Sequence, residues 1–109
     1  MSRSLGREAE DSAAIYLADK GYTILKRRFK SKSGEIDIVA LDGDVLVMVE
    51  VKLRNAGEAE FAVDAAKQAH IRASAAEYLT FVGEQNRTVR YDLIAIDRTG
   101  IRHHVDAFR

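Results

Sequence analysis

The sequence predicts an α/β domain in which a mixed sheet is flanked by helices. Three observations carry that expectation. Two stretches space their apolar residues as helices do, and five have the alternation and β-branched content of strands. Their order along the chain is α-β-β-β-α-β-β. The 109 residues suit one domain with one modest core.

Ser4 can cap a first helix running to about Lys20, with Gly21 as its C-terminal stop. Its apolar stripe is Ala9, Ala13, Tyr16 and Leu17. A first strand follows from Tyr22 to about Lys30 and ends at the turn Ser31-Lys32-Ser33-Gly34. Ile36 to Leu41 and Val45 to Leu53 read as a hairpin joined at Asp42-Gly43, a strong turn signal. A two-residue loop at Asp42-Gly43 sets Leu41 opposite Asp44, Val39 opposite Leu46 and Asp37 opposite Met48. Alternation then sorts the side chains. One face carries Ile36, Ile38, Ala40, Val45, Val47, Val49 and Val51; the other carries Asp37, Val39, Leu41, Leu46, Met48, Glu50 and Lys52. Both faces are apolar, which predicts a helix on each side.

A second helix is expected from about Asp64 to about Val82, with an extra turn allowed at its start. Ala66, Ala69, Ala73, Ala76 and Leu79 give it a small-residue face for packing on the sheet. Thr88 to Asp97 is a further strand, Arg98-Thr99-Gly100 a turn, and Ile101 to Phe108 a last strand. Proline is absent, so glycines punctuate the chain.

Composition narrows the chemistry. Apolar residues at 47% and charged residues at 31% describe an ordered soluble protein. No apolar run is long enough to span a bilayer, and the first residues are polar, so a cytoplasmic location is expected with no membrane partner. Cysteine is absent, which excludes disulfides, thiolate zinc sites and cysteine nucleophiles. A metal would be held by oxygen or imidazole, and oxygen ligands suit Mg²⁺ or Mn²⁺. The net charge of zero counts against tight nonspecific DNA binding. Lys26, Arg27, Arg28, Lys30 and Lys32 nevertheless form a local basic patch. No Ser-His-Asp set with a glycine elbow and no phosphate-cradling glycine loop is present.

Three ionisable residues interrupt one hairpin face, all at the same end: Asp37, Glu50 and Lys52. Glu50 lies diagonally across from Asp37 in the expected register, within reach of a shared ion. Burying two carboxylates is costly unless a cation or hydrogen bonds compensate them. A hard divalent ion would do so and would also activate water against a phosphodiester. Lys52 would orient that water and stabilise the charged transition state, with proton abstraction as its other role. Glu10 is a candidate fourth member if the first helix packs on this face. The plainer alternative is a salt-bridge cluster at a sheet end.

Gly34-Glu35-Ile36-Asp37 followed by Glu50-Val51-Lys52 resembles the YraN-like family of uncharacterised bacterial proteins. That family belongs to the restriction-endonuclease-like, or PD-(D/E)xK, superfamily and is similar to archaeal Holliday junction resolvases. The resemblance extends to Gly6, Glu10-Asp11, Tyr16-Leu17, Lys67 and Arg90-Tyr91-Asp92. It implies an α-β-β-β-α-β core, here with an extra C-terminal strand. It further implies Asp37, Glu50 and the Val51 carbonyl as metal ligands, Lys52 as the catalytic lysine and Glu10 as the upstream acid. Ile36 replaces the proline of the superfamily motif, and Arg28 stands where many members carry asparagine.

Arg27, Arg28 and Lys30 are candidate phosphate contacts, or else a strand edge kept charged against aggregation. Lys67 is a further candidate contact, or an ordinary exposed helix lysine. Arg90 and Asp92 read as a structural pair, Asp92 needing a partner among apolar neighbours. His70 stands alone, and His103 and His104 point to opposite faces, so none reads as a ligand. The first expectation is therefore a metal-dependent endonuclease acting on structured or branched DNA. The others are a non-catalytic nucleic-acid-binding module and a metal-stabilised interaction protein. Action on branched DNA would call for two coordinated sites and hence a homodimer.

Overall fold

The computed structural model describes residues 2–54 and 63–109, with side chains in the first helix from Gly6 onward. Helix α1 spans Ser2–Asp19, followed by β1 (Thr23–Ser31), β2 (Gly34–Asp42) and β3 (Val45–Leu53). Helix α2 (Ala65–Val82), β4 (Val89–Asp97) and β5 (Gly100–Phe108) complete the chain, so the expected order is observed. The five strands form one sheet in the order β1-β2-β3-β4-β5. Only β3 and β4 run parallel, because only they are joined across a helix, α2.

One helix covers each face. Ala13 and Leu17 of α1 pack on Ile38, Ala40, Val47, Val49 and Ile94. Ile71, Ala75, Tyr78 and Leu79 of α2 pack on Val39, Leu46, Met48 and Leu93. Each large side chain buried in these layers is worth about 1.5–3 kcal/mol of transfer free energy. Helix α1 ends as expected at Gly21, whose φ of +94° suits the left-handed closing turn. There the Tyr22 N–H reaches the Leu17 carbonyl at 2.9 Å and the Gly21 N–H reaches Ala18 at 3.0 Å. Its start differs, because the helix already includes Ser2 and so places Ser4 inside it. The Ser4 side chain lies outside the described residues.

Two further expectations are corrected. The hairpin loop is Gly43-Asp44, and Asp42 pairs with Val45, Leu41 with Leu46 and Val39 with Met48. Gly43 has φ +61° at the first loop position, where a type II′ hairpin needs glycine. The buried face of α2 is Ile71, Ser74, Ala75, Tyr78 and Leu79, whereas Ala66, Ala69, Ala73 and Ala76 are exposed. An alanine methyl buries little area, so the larger residues decide which face turns inward. Asp64 caps α2 by accepting the Lys67 N–H at 2.8 Å, and Gly83 closes it with φ +77°.

Candidate metal centre

Strand pairing, not helix packing, assembles the site. The observed register ends at Ile38 opposite Val49, and one further step sets Asp37 across from Glu50. The two are therefore opposed directly, not diagonally as the expected loop implied. Beyond Ile38 the strands stop pairing, and the Val51 N–H donates to the Asp37 carboxylate at 2.8 Å.

The same point breaks the alternation of β2. Ile36 joins the α2-side core while Ile38 joins the α1-side core, although both were assigned to one face. Across from Asp37, between the pairs Arg27–Ile38 and Phe29–Ile36, Arg28 has φ +54°. Asparagine tolerates that conformation better than arginine does. Two strands thus leave regular β geometry where the carboxylate must turn toward β3.

Desolvation and the neighbouring Glu50 carboxyl, within hydrogen-bond reach, push the Asp37 carboxyl up to about 9. Glu50 is buried, at 8% exposure, on the α2 side of the sheet. Its carboxylate meets the Lys67 ammonium at 3.1 Å. Lys67 lies one turn before Ile71 on the packed stripe of α2, which brings it over the carboxylates. Burial, then the Arg54 charge, hold the Lys52 ammonium below its ordinary range against the opposing pull of Glu50. Asp37, Glu50, Lys52 and Lys67 are thus gathered at one place. The Arg54 contribution was not foreseen, although extending the alternation two residues past Lys52 would have pointed to it.

The donor set fits a hard cation. Two carboxyl groups are held together, and burial and the neighbouring Glu50 strongly disfavour Asp37 as an anion. Among the described residues no group of three His, Asp or Glu side chains gathers here. Glu10 is placed differently from the rest. Its helix packs on the face opposite Glu50, and its carboxylate accepts the Arg28 Nε at 2.6 Å. Its charge is still felt at Asp37. A polar cleft of about 280 Å³, lined by Gly6, Arg7, Glu10, Arg28, Lys30 and Glu35, occupies this side of the centre. A larger cavity of about 440 Å³ lies along β5 and includes His103, His104 and Phe108, but neither Asp37 nor Glu50.

The other candidates separate. Arg27 pairs with Asp11 at 2.7 Å and Arg28 with Glu10, so both arginines tie β1 to α1, whereas Lys30 is exposed. Asp92, fully buried, accepts Arg90 Nε and Nη2 at 2.9 Å each and the Asp106 N–H at 3.0 Å; His103 Nε2 lies 2.8 Å away. Burial alone would raise its pKa, but these partners together hold it below the ordinary carboxylate value. The expected structural partner of Asp92 is therefore present. No helix among the described residues is long and apolar enough to cross a membrane.

Comparison with known proteins agrees over most of the chain. Residues 9–96 match a family described as Uncharacterised protein family UPF0102. A UPF0102 protein of Thermodesulfovibrio yellowstonii is 40% identical over 107 residues, covering 95% of each chain. One of Rhodococcus jostii is 41% identical over 113 residues, covering 96% of each. One of Chlorobium chlorochromatii is 46% identical over 96 residues, covering 85% of this chain and 74% of its own.

Proposed function

The chain belongs to the uncharacterised protein family UPF0102, and we propose that it is a divalent-metal-dependent endonuclease of the restriction-endonuclease-like, PD-(D/E)xK type. Its proposed substrate is structured or branched DNA. The observation that carries this is that the Asp37 and Glu50 carboxyls lie within hydrogen-bond reach of each other, beside Lys52 and Lys67.

In this reading Asp37, Glu50 and the Val51 carbonyl would hold Mg²⁺ or Mn²⁺, with Glu10 contributing from α1. A bound ion supplies Lewis-acid activation of the phosphodiester and acidifies water. Asp37 is kept aimed at β3 by the Val51 N–H. Lys52 orients the attacking water and neutralises charge that develops on the phosphate oxygens. Its lowered pKa also brings the amine nearer the range in which it accepts a proton. Lys67, half exposed on Glu50, could take a phosphate oxygen in place of that carboxylate. The exposed Lys30 extends the contact surface. Arg27 and Arg28 join it only by giving up Asp11 and Glu10.

The test is a panel of branched, flapped, single-stranded and duplex DNA and RNA with Mg²⁺ or Mn²⁺, comparing wild type with Lys52→Ala. Cleavage by wild type should fall about 100-fold or more in the variant, the usual scale for losing one electrostatic group at a reacting phosphate. Cleavage that survives Lys52→Ala overturns the assignment. Binding without cleavage by both proteins would instead mark a nucleic-acid-binding module that keeps the fold.

A further inference from the structure

We propose that Arg54 is an anion-binding residue of this centre, its guanidinium taking a phosphate oxygen beside Lys52. This rests on the reading of the centre as a phosphodiesterase site. The Arg54 N–H donates to the Ile96 carbonyl at 2.8 Å, one residue past the pair Leu53–Ile96. The pairing of β3 with β4 thus carries on into Arg54. Alternation then sends its side chain to the face of Glu50 and Lys52.

A second observation agrees with that direction. The Nε of Arg54 is buried and meets no hydrogen-bond acceptor among the described residues. The nearby acids among the described residues are engaged elsewhere: Glu50 with Lys67, and Asp64 with the α2 N-terminus. A guanidinium N–H withdrawn from water and left without an acceptor is costly. A phosphodiester relieves this, because its oxygens match the guanidinium fork.

The first measurement is thermal unfolding of the metal-free protein in rising inorganic phosphate, with ionic strength held constant by chloride. Wild type should show a saturable rise in Tm that Arg54→Gln loses and Arg54→Lys partly keeps. The lysine variant guards against a glutamine variant that fails to fold. The second is binding of a labelled DNA duplex in Ca²⁺. Arg54→Gln should weaken it about tenfold and reduce the salt dependence by about one phosphate contact. No phosphate response in wild type, or an equal one in Arg54→Gln, overturns the proposal. Phosphate binding through Arg54 by a protein that neither binds nor cuts nucleic acid would leave the subsite standing and remove the nuclease reading. Cleavage by wild type, with unchanged DNA affinity and salt slope in Arg54→Gln, would do the reverse.

Discussion

The Val51 N–H donates to the Asp37 carboxylate at 2.8 Å, just past the last paired residues of β2 and β3. That bond aims Asp37 at Glu50 but leaves the carboxyl desolvated and next to a second one, which pushes it up to about 9 from 3.8. The raised value sets a pH dependence for the metal-free protein. Between those two values the folded chain holds a proton that the unfolded chain has released. Stability therefore falls as pH rises through that window. Asp37→Asn should flatten the slope and stabilise the metal-free protein at pH 7 by about 2 kcal/mol, the scale of an uncompensated buried polar group. Thermal melts from about pH 5 to 9 read this directly. A wild-type Tm that climbs across the window would show that Asp37 is already neutralised.

Lys67 occupies Glu50 in the absence of metal, at 3.1 Å, and is itself 48% exposed. With the lysine half exposed to screening water, such a pair contributes about 1 kcal/mol, or about fivefold in an equilibrium constant. Lys67→Ala should accordingly raise Mn²⁺ affinity, measured by titration calorimetry, by no more than about fivefold. Glu50→Gln should abolish it. A fall in affinity for Lys67→Ala would mean that the lysine supports the ion instead of competing with it.

Glu10 accepts Arg28 Nε at 2.6 Å and lies on α1, away from the face that carries Glu50. Glu10→Gln should cost about 0.5–1.5 kcal/mol of stability, as expected for one charge-assisted contact on a partly exposed pair. It should lower Mn²⁺ affinity far less than Glu50→Gln does. Equal losses in the two variants would put Glu10 on the ion as a direct ligand.

Asp92 is fully buried among Arg90, His103 and the Asp106 N–H. Asp92→Asn takes a buried carboxylate away from the Arg90 guanidinium, which among the described residues keeps only the Asp42 carboxylate, and should destabilise the protein by about 3 kcal/mol. Burial opposes its ionisation, but these partners more than offset it, so its folded pKa lies below the unfolded 3.8. Its stabilisation is present above the unfolded pKa and is lost as pH falls through the lower folded value. Acid unfolding of Asp92→Asn should begin from a lower plateau with a shallower limb, while cleavage per folded molecule stays unchanged. A loss of cleavage without a loss of stability would move Asp92 into the site.

Element order and the covering of both sheet faces were legible in the sequence, because apolar periodicity reports burial directly. The nearness of Asp37 and Glu50 was legible from the hairpin, although the alternation of β2 breaks at that point. What local patterns could not settle were choices between near-equal packings. The inward face of α2 was one: its alanines offered a plausible stripe, and only competition for the sheet surface selected Ile71, Tyr78 and Leu79. The hairpin register was another, decided by where Gly43 could take a positive φ. The departure from regular β geometry at Arg28 and Asp37, and the reach of Lys67 to Glu50, depend on contacts between residues distant in the chain. The sequence by itself determined the order of the elements and that both faces of the sheet are covered. The tertiary structure decided how the charged groups meet, because direction and desolvation arise only when separate elements pack around the same carboxylates.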